Sequence, residues 1–362
     1  KNKITINYCA LLKKKQLMKK SIELLSNFNT DNLYQFLEED LNKEKYILKK
    51  GLYGQFFQRI FKIINSKKNK NTMILWSQVE HTFKNFDKIL NYENVSIKDL
   101  NKELDQYILL MKKLSLKCEN IIIFSWTIPR YEKGRYLNDF THQSGIVKNI
   151  DFINNYVAKS LEKNKNIYFL NSNFFIKDND SDYNPKLWYA AKIPYSQETF
   201  RKTSLEINKV LNYIYGNKIK LIILDLDNTL WGGVLGDLGW KKIKIGGLSI
   251  SGEAFYDFQK KLKALNNLGV QLAISSKNEE YLALEAINKN PNIILKRNNF
   301  SSWRINWKDK ATNVKEIINE LNLLNESVLF IDDNPAERDR VRNSVKGINV
   351  PDWPSDPVYF SK

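Results

Sequence analysis

The sequence predicts an α/β protein made of two parallel-sheet, Rossmann-like domains. Two observations predict this class: short, continuously apolar runs alternate with amphipathic helical stretches, and the alternation occurs twice, before and after Gly216. Strands that are apolar throughout are typical of parallel sheets, because helices cover both faces of such sheets. The 362 residues, 43% of them apolar, suit two domains with a core each.

The first domain contains four apolar runs that predict strands, at residues 22–25, 73–76, 121–124 and 167–170. Residues 182–194 break the alternation with Pro, Asn and aromatic side chains, which predicts an irregular stretch. A helical pattern over residues 196–215 then ends at Gly216, where we place the domain boundary.

The second domain repeats the pattern at once. Its predicted helices include residues 254–268 and 311–321, and its predicted strands are residues 221–224, 270–274, 293–295 and 328–331. In a parallel sheet of this kind ligands bind beyond the carboxyl ends of the strands, so the candidate site is expected there.

The predicted division is a basic lead-in over residues 1–20, an α/β domain over 21–216 that ends in a linker helix, and a second domain over 217–362. Residue 1 is Lys, so a fragment of a longer protein is an open alternative. No apolar run approaches the roughly 20 residues of a membrane span, and the first residues lack a signal-peptide pattern. Cys9 and Cys118 make no disulfide framework. We therefore expect a cytoplasmic protein without a membrane span.

The net charge of +17 is compatible with an acidic partner, such as nucleic acid, a membrane surface or an acidic protein. Lysines are spread along the chain, however, and no compact basic motif with interleaved aromatic residues occurs. A general bias toward Lys, Asn and Ile explains the charge equally well. We therefore expect no nucleic-acid partner.

Asp225 and Asp227 directly follow the first apolar run of the second domain. Because side chains alternate along an extended chain, the two carboxylates lie on the same side. They repel each other unless a cation neutralises them, and Mg²⁺ prefers such oxygen ligands. One carboxylate can then attack a phosphorus atom while the other transfers protons. Taken alone, the pair is also compatible with an ordinary acidic strand-to-loop junction.

Three further polar clusters also lie at or near the ends of predicted strands. Residues 275–278, Ser-Ser-Lys-Asn, can hold a phosphate oxygen through a hydroxyl and backbone N–H groups, or can merely cap a helix. Lys310 opens a predicted helix and can neutralise a phosphoryl group, or can be a surface lysine. Asp332 and Asp333 follow the last predicted strand and add carboxylates for a metal, or form an acidic loop.

Together and in this order, these clusters resemble the haloacid dehalogenase superfamily of phosphatases and phosphotransferases. The resemblance implies that Asp225 is a nucleophile that forms an aspartyl-phosphate and that Asp227 is the acid and base. It implies that Ser276 and Lys310 hold the phosphoryl group. The implied Mg²⁺ ligands are Asp225, Asp227, Asp332 and Asp333.

Longer strings, at residues 225–233, 276–278, 306–307 and 330–338, resemble the FkbH-like branch of that superfamily. Between Asp225 and Ser276 the chain has room for one flap and one helix, which suits a capless fold. The branch implies phosphorylated glycerate as a substrate and an acidic acyl carrier protein as a partner, in polyketide or surface-glycan assembly. The implied substrate-binding residues are Thr229, Ser275, Lys277 and Asn278.

Ser275 departs from the branch, whose best-known members resemble each other in having Cys there to carry an acyl group. A Ser hydroxyl is a much poorer nucleophile without a base. We therefore expect phosphate release without a stable acyl group on the protein. Because neighbouring strand residues point to opposite faces, only one of Ser275 and Ser276 is expected to face the pocket directly.

The first domain carries strings at residues 24–30, 53–56 and 187–189 that resemble the amino-terminal domain preceding FkbH-like domains. That domain is similar in fold to SGNH esterases, which need a Ser nucleophile and a His base. Ser26 has no placed base, since His81 and His142 lack the late Asp-x-x-His setting of the esterases. We expect a binding or docking module without a Ser–His pair.

Two functions from different classes are therefore compatible with the sequence. The first is a Mg²⁺-dependent phosphatase or phosphotransferase acting on a phosphorylated small molecule. The second is an inactive assembly scaffold that docks a carrier protein. Mg²⁺-dependent turnover of a generic aryl phosphate separates them.

Overall fold

The computed structural model describes residues 19–67, 70–129, 131, 136–176, 183–216, 218–247 and 249–360. The predicted basic lead-in lies almost wholly outside the described residues. The chain divides into two compact units, Lys1–Leu211 and Asn212–Lys362. Each contains one sheet with parallel strands only, which confirms the predicted fold class.

The sheet of the first unit has five strands in the order β2-β1-β3-β4-β5. The strands are β1 (Lys20–Ser26), β2 (Tyr46–Lys50), β3 (Thr72–Trp76), β4 (Asn120–Phe124) and β5 (Ile167–Leu170). Strands β3 and β4 are buried throughout, as expected for the centre of a parallel sheet. The sequence analysis did not predict β2. This edge strand is mostly exposed, so it lacks the continuous apolar run that marks a buried strand.

The helices of the first unit place apolar side chains against this sheet. They are α1 (Asp31–Asp40), α2 (Phe56–Ile64), α3 (Lys84–Leu90), α4 (Ile97–Ser115), α5 (Ile146–Leu161), α6 (Pro185–Ala191) and α7 (Gln197–Tyr215). Helix α4 buries Leu100, Leu104 and Met111 at helical spacing in the core. Its first turn is capped by Ser96, whose side chain accepts a hydrogen bond from the Asp99 amide.

Helix α6 corrects the prediction of an irregular stretch over residues 182–194. The side chain of Asn184 caps the helix by accepting hydrogen bonds from the amides of Lys186 and Leu187. Pro185 occupies the first turn, where its missing N–H costs no intrahelical bond. The helix is only seven residues long, which is too short to show helical periodicity in the sequence.

The sheet of the second unit has four strands in the order β8-β7-β6-β9. They are β6 (Leu221–Leu224), β7 (Gln271–Ser276), β8 (Phe300–Ile305) and β9 (Val328–Ile331). The helices are α8 (Leu235–Leu238), α9 (Ile250–Asn267), α10 (Glu280–Lys289), α11 (Lys310–Glu320) and α12 (Pro335–Ser344). Between β6 and α9 the chain forms a small flap, in which Gly232 and Lys244 pair as an isolated antiparallel bridge.

The strand predicted at residues 293–295 is wrong. Ile293 and Leu295 are buried in the core, but the backbone there forms no strand. The amides of Ile294 and Leu295 donate instead to Oε1 of Gln259, at 2.9 and 3.2 Å. Strand β8, five residues further on, takes the place beside β7.

Among the described residues, no helix has both the length and the apolar content needed to cross a membrane.

Candidate active site

Packing on the two faces of the second sheet shows in which direction the side chain of Asp225 points. Leu221 and Ile223 of β6 pack into the core cluster that contains the apolar residues of α11, whereas their neighbours pack on the other face. Continued alternation directs Asp225 toward the α11 face. Phe330 of β9 lies in the same cluster, so Asp332 continues on that face as well. The paired register of β6 and β9 therefore brings these two carboxylates together.

Asp225, Asp332 and Asp333 form the acidic centre of the unit. Each offers one carboxylate oxygen, and these oxygens lie within 4.8 Å of one another. Oδ1 of Asp225 is buried and has no hydrogen-bond partner. Buried carboxylates that share a site repel each other, and an unpartnered oxygen is a free ligand atom. The residues present therefore fit a hard divalent cation.

Lys310 lies against the acidic centre and is only 3% exposed. Its Nζ is 2.9 Å from Oδ2 of Asp225 and 2.6 Å from Oδ2 of Asp332. Burial lowers the pKa of Lys310, but the charges of Asp225 and Asp332 outweigh burial and hold the pKa above its ordinary value. The ammonium thus remains charged beside the candidate nucleophile.

The acidic loop after β9 contains two carboxyl groups, those of Asp332 and Asp333, whose pKa values are raised. Burial, followed by the charge of Asp225, raises the pKa of Asp332 to about 6, although Lys310 opposes the shift. The same two causes raise the pKa of Asp333. The single ammonium of Lys310 does not neutralise three carboxylates, and a bound cation would supply the missing positive charge.

Asp227 does not belong to the group of carboxylates that could share one cation in the part of the chain that the structure describes. Its Oδ1 accepts hydrogen bonds from Nε1 of Trp231 at 2.9 Å and from the amide of Leu235 at 3.1 Å. Its Oδ2 accepts from Nδ2 of Asn278 at 3.0 Å. Burial raises the pKa of Asp227 despite these donors. A fixed carboxyl group with a raised pKa is suited to proton transfer.

The end of β7 carries the two adjacent serines, and their hydroxyls have different surroundings. Oγ of Ser276, a residue 1% exposed, accepts a hydrogen bond of 3.2 Å from Nδ2 of Asn278, which also holds Asp227. Ser275 is fully buried, and its Oγ has no hydrogen-bond partner. Oγ1 of Thr229 is likewise buried without a partner. Buried hydroxyls without a partner are uncommon, which makes Ser275 and Thr229 candidates for contact with a ligand.

Lys277 has a different location from its neighbours. Its side chain is 41% exposed, and its Nζ lies 2.6 Å from Oε1 of Glu337 on helix α12. The ion pair ties the loop after β7 to helix α12. The ammonium of Lys277 therefore lies on the rim rather than in the acidic centre.

Arg338 is a residue of the site to which the sequence assigned no role. Its Nη1 donates to the backbone oxygens of both Asp332 and Asp333, each at 2.8 Å. The amide of Asn334 donates to Oδ1 of Asp332 at 2.9 Å. These bonds fix the acidic loop from outside. The sequence signal was present, because Arg338 ends the string over residues 330–338.

In the first unit, Ser26 and the two histidines do not form a catalytic pair. Oγ of Ser26 accepts a hydrogen bond from the amide of Phe28 at 3.1 Å, as a turn residue does. The ring of His81 stacks on Trp188, with centroids 6.3 Å apart, and Nδ1 of His142 accepts from the Ser144 amide. Within the described ranges, no serine hydroxyl is hydrogen-bonded to either histidine.

One solved structure that contains a phosphatase domain is similar to this chain over most of its length. The whole chain is similar to a crystal structure of the N-terminal part of a Bacteroides fragilis protein, which contains a phosphatase domain in complex with Mg. The two chains share 27% identity with a TM-score of 0.74, over 94% of this chain and 91% of that one.

Two further solved structures are more distant. A HAD family enzyme from Bacteroides thetaiotaomicron shares 15% identity at a TM-score of 0.26, over 37% of this chain and 93% of that one. A protein of proposed acylhydrolase activity from Bacteroides fragilis shares 12% identity at a TM-score of 0.35, over 59% and 99%. Neither likeness carries weight at these scores. No family model and no curated relative matches the chain.

Proposed function

We propose that this protein is a Mg²⁺-dependent phosphatase or phosphotransferase whose nucleophile is Asp225. The observation that carries the proposal is the contact of Lys310 with Asp225 and Asp332 inside an otherwise acidic, buried centre. A lysine held charged there can bind the phosphoryl oxygens while a carboxylate attacks. The likeness to a phosphatase domain in complex with Mg supports the same reaction class.

The proposed reaction divides its steps between Asp225 and Asp227. A carboxylate oxygen of Asp225 bonds to phosphorus as the bond from phosphorus to the leaving oxygen breaks, and Asp227 gives its proton to that oxygen. Water then attacks the phosphorus of the aspartyl-phosphate and gives its proton to Asp227, which frees Asp225. Ser276 and Lys310 hold the phosphoryl oxygens in both steps.

Asp225, Asp332 and Asp333 would hold the Mg²⁺ ion. When bound, the ion supplies positive charge that neutralises the phosphoryl oxygens and the carboxylates around them. Asp227 serves the reaction through its proton, since its carboxylate is occupied by three donors.

The narrower proposal places the protein in the FkbH-like branch, with phosphorylated glycerate as substrate and an acidic acyl carrier protein as partner. The positive net charge of +17 supports an acidic partner. Ser275 supports phosphate release or direct transfer to the carrier, because its hydroxyl has no hydrogen-bonded base to activate it. The first unit would then act as a binding or docking module in the cytoplasm.

The test is phosphate release from a generic aryl phosphate by the purified protein. We expect turnover with Mg²⁺, loss of turnover with EDTA and recovery on adding the metal. Asp225→Asn should abolish release while the protein stays folded, because an amide cannot form the acyl-phosphate. Asp257→Asn, a change of an exposed aspartate on α9, is the matched control.

Absence of turnover in the wild type, or turnover that survives Asp225→Asn, would favour the inactive scaffold. A screen of phosphorylated metabolites, with and without an acyl carrier protein, would then identify the substrate of an active protein. Phosphorylated glycerate is the expected hit.

A further inference from the structure

Trp231 holds one oxygen of the Asp227 carboxylate. Its indole is fully buried in the core of the second unit and directly precedes Gly232, which pairs with Lys244 in the flap. Nε1 of Trp231 donates to Oδ1 of Asp227 at 2.9 Å, and the amide of Leu235 donates to the same oxygen at 3.1 Å. A carboxylate oxygen has two lone pairs, so these two donors occupy Oδ1.

The other oxygen of Asp227, Oδ2, keeps one lone pair open. In the part of the chain that the structure describes, Oδ2 accepts a hydrogen bond from Nδ2 of Asn278 alone, at 3.0 Å. The same Nδ2 donates to Oγ of Ser276 at 3.2 Å. Two acceptors of one amide nitrogen lie close together. Oδ2 is therefore the Asp227 oxygen on the side of Ser276, the residue that we propose binds the phosphoryl group.

We propose that Trp231 is a positioning residue, which directs Oδ2 of Asp227 toward the leaving oxygen by occupying Oδ1. The proposal rests on the proposed phosphatase function and adds a residue that acts through its acid and base. The bond between the proton and Oδ2 breaks as the leaving oxygen takes up that proton and separates from phosphorus. Without the indole N–H, Oδ1 regains a lone pair, and a proton bound there faces the flap instead of the leaving oxygen.

A buried tryptophan also fills space, so the test has to separate positioning from packing. The leaving oxygen of phenyl phosphate needs a proton as it departs, whereas p-nitrophenolate is stable without one. The two probe substrates share a ring, so the ratio of their kcat/KM values reports the proton transfer. A residue that serves packing alone would change both values equally and leave this ratio as it is.

Trp231→Phe keeps an aromatic ring and removes the N–H donor. In the presence of Mg²⁺ we expect it to lower the ratio of kcat/KM for phenyl phosphate to kcat/KM for p-nitrophenyl phosphate about tenfold, as loss of a hydrogen bond to a charged group predicts. An unchanged ratio, whether both substrates slow equally or neither slows, overturns the proposal.

Trp353 provides a matched control in the same unit. Its ring packs against the core cluster that contains Trp231, and its buried Nε1 has no hydrogen-bond partner. Trp353→Phe therefore makes the same exchange without breaking a hydrogen bond, and its ratio should equal that of the wild type. A fall in the ratio as large as that of Trp231→Phe would mean that packing matters and not the N–H, which contradicts the proposal.

NMR of the indole N–H groups distinguishes failure of this inference from failure of the proposed function. Asp227→Asn removes the charge that Nε1 of Trp231 contacts, so it should shift the N–H resonance of Trp231 and leave that of Trp353 in place. The measurement needs neither turnover nor a Trp231 variant, so it also decides the case if Trp231→Phe does not fold.

If the wild type turns over neither substrate, the phosphatase function fails, and the inferred hold of Trp231 on Asp227 stands if the resonance of Trp231 shifts. An unchanged resonance overturns the inference, with or without turnover. If turnover is present, an unchanged ratio for Trp231→Phe overturns the inference and leaves the phosphatase function intact.

Discussion

At the scale of single residues, Lys310 and the carboxylates around it stabilise one another. A lysine 3% exposed is costly to bury, and so are Asp225 and Asp332 beside it. Each charge is tolerated because the opposite charge lies within 2.9 Å. The arrangement that we propose binds the phosphoryl group thus also stabilises the folded protein.

Lys310→Met should therefore lower the free energy of unfolding by about 3 kcal/mol in EDTA, since it leaves buried carboxylates without their counter-ion. The loss should be smaller with Mg²⁺, because the cation replaces part of the missing charge. Urea denaturation in both buffers measures the effect, with Lys315→Met on the exposed side of the same helix as control. Equal losses in EDTA and in Mg²⁺ would contradict this account.

Arg338 holds the acidic loop through hydrogen bonds to two backbone oxygens. Arg338→Ala should weaken Mg²⁺ binding about tenfold to a hundredfold, as loss of groups that orient metal ligands does elsewhere. A titration of activity against Mg²⁺ measures the shift, and saturating metal should restore much of kcat. Arg342→Ala removes an arginine of the same helix that pairs with Asp339, so its Mg²⁺ dependence should match the wild type.

At the scale of elements, helix α9 holds residues 293–295, where a strand was predicted, through hydrogen bonds to their backbone. Gln259 is fully buried; its Nε2 donates to the backbone oxygen of Leu230, and its Oε1 accepts from Ile294 and Leu295. One amide side chain therefore satisfies three backbone groups in two loops. The apolar run at residues 293–295 needs no sheet partner for this reason.

Gln259→Leu should cost about 3 kcal/mol of unfolding free energy, because those three backbone groups lose their partners inside the protein. Urea denaturation checks the value. The same exchange at Gln271, an exposed residue that begins β7, should cost much less. A loss at Gln259 no larger than that at Gln271 would show that water replaces the amide.

At the scale of the whole molecule, two units of the same α/β class contain different polar side chains at their candidate sites. The second unit gathers carboxylates and a buried lysine, whereas Ser26 of the first unit is a turn residue without a base. We expect the full-length protein to hydrolyse p-nitrophenyl acetate no faster than its Ser26→Ala variant does. Phosphate release should be the same in both proteins. Ester hydrolysis that depends on Ser26 would revive an esterase function for the first unit.

The sequence alone was sufficient to predict the fold class and the position of most strands. Buried parallel strands are short and apolar throughout, so they are visible as local runs, and the polar residues at their ends mark the candidate site. The sequence analysis did not predict three elements, which are the edge strand β2, the short helix α6 and strand β8. Their sequences are polar, brief or mixed, and only their neighbours in space make them regular.

The tertiary structure alone decided which polar residues meet. Period-two alternation predicted Asp225 and Asp227 on the same side of the chain, but it could not predict that the carboxylate of Asp227 accepts hydrogen bonds from Asn278 and Trp231. The contacts of Lys310 with Asp225 and Asp332 depend on the packing of α11 on the sheet. Sequence spacing carries no information on such contacts, because they join elements whose distance in space is set by the core between them.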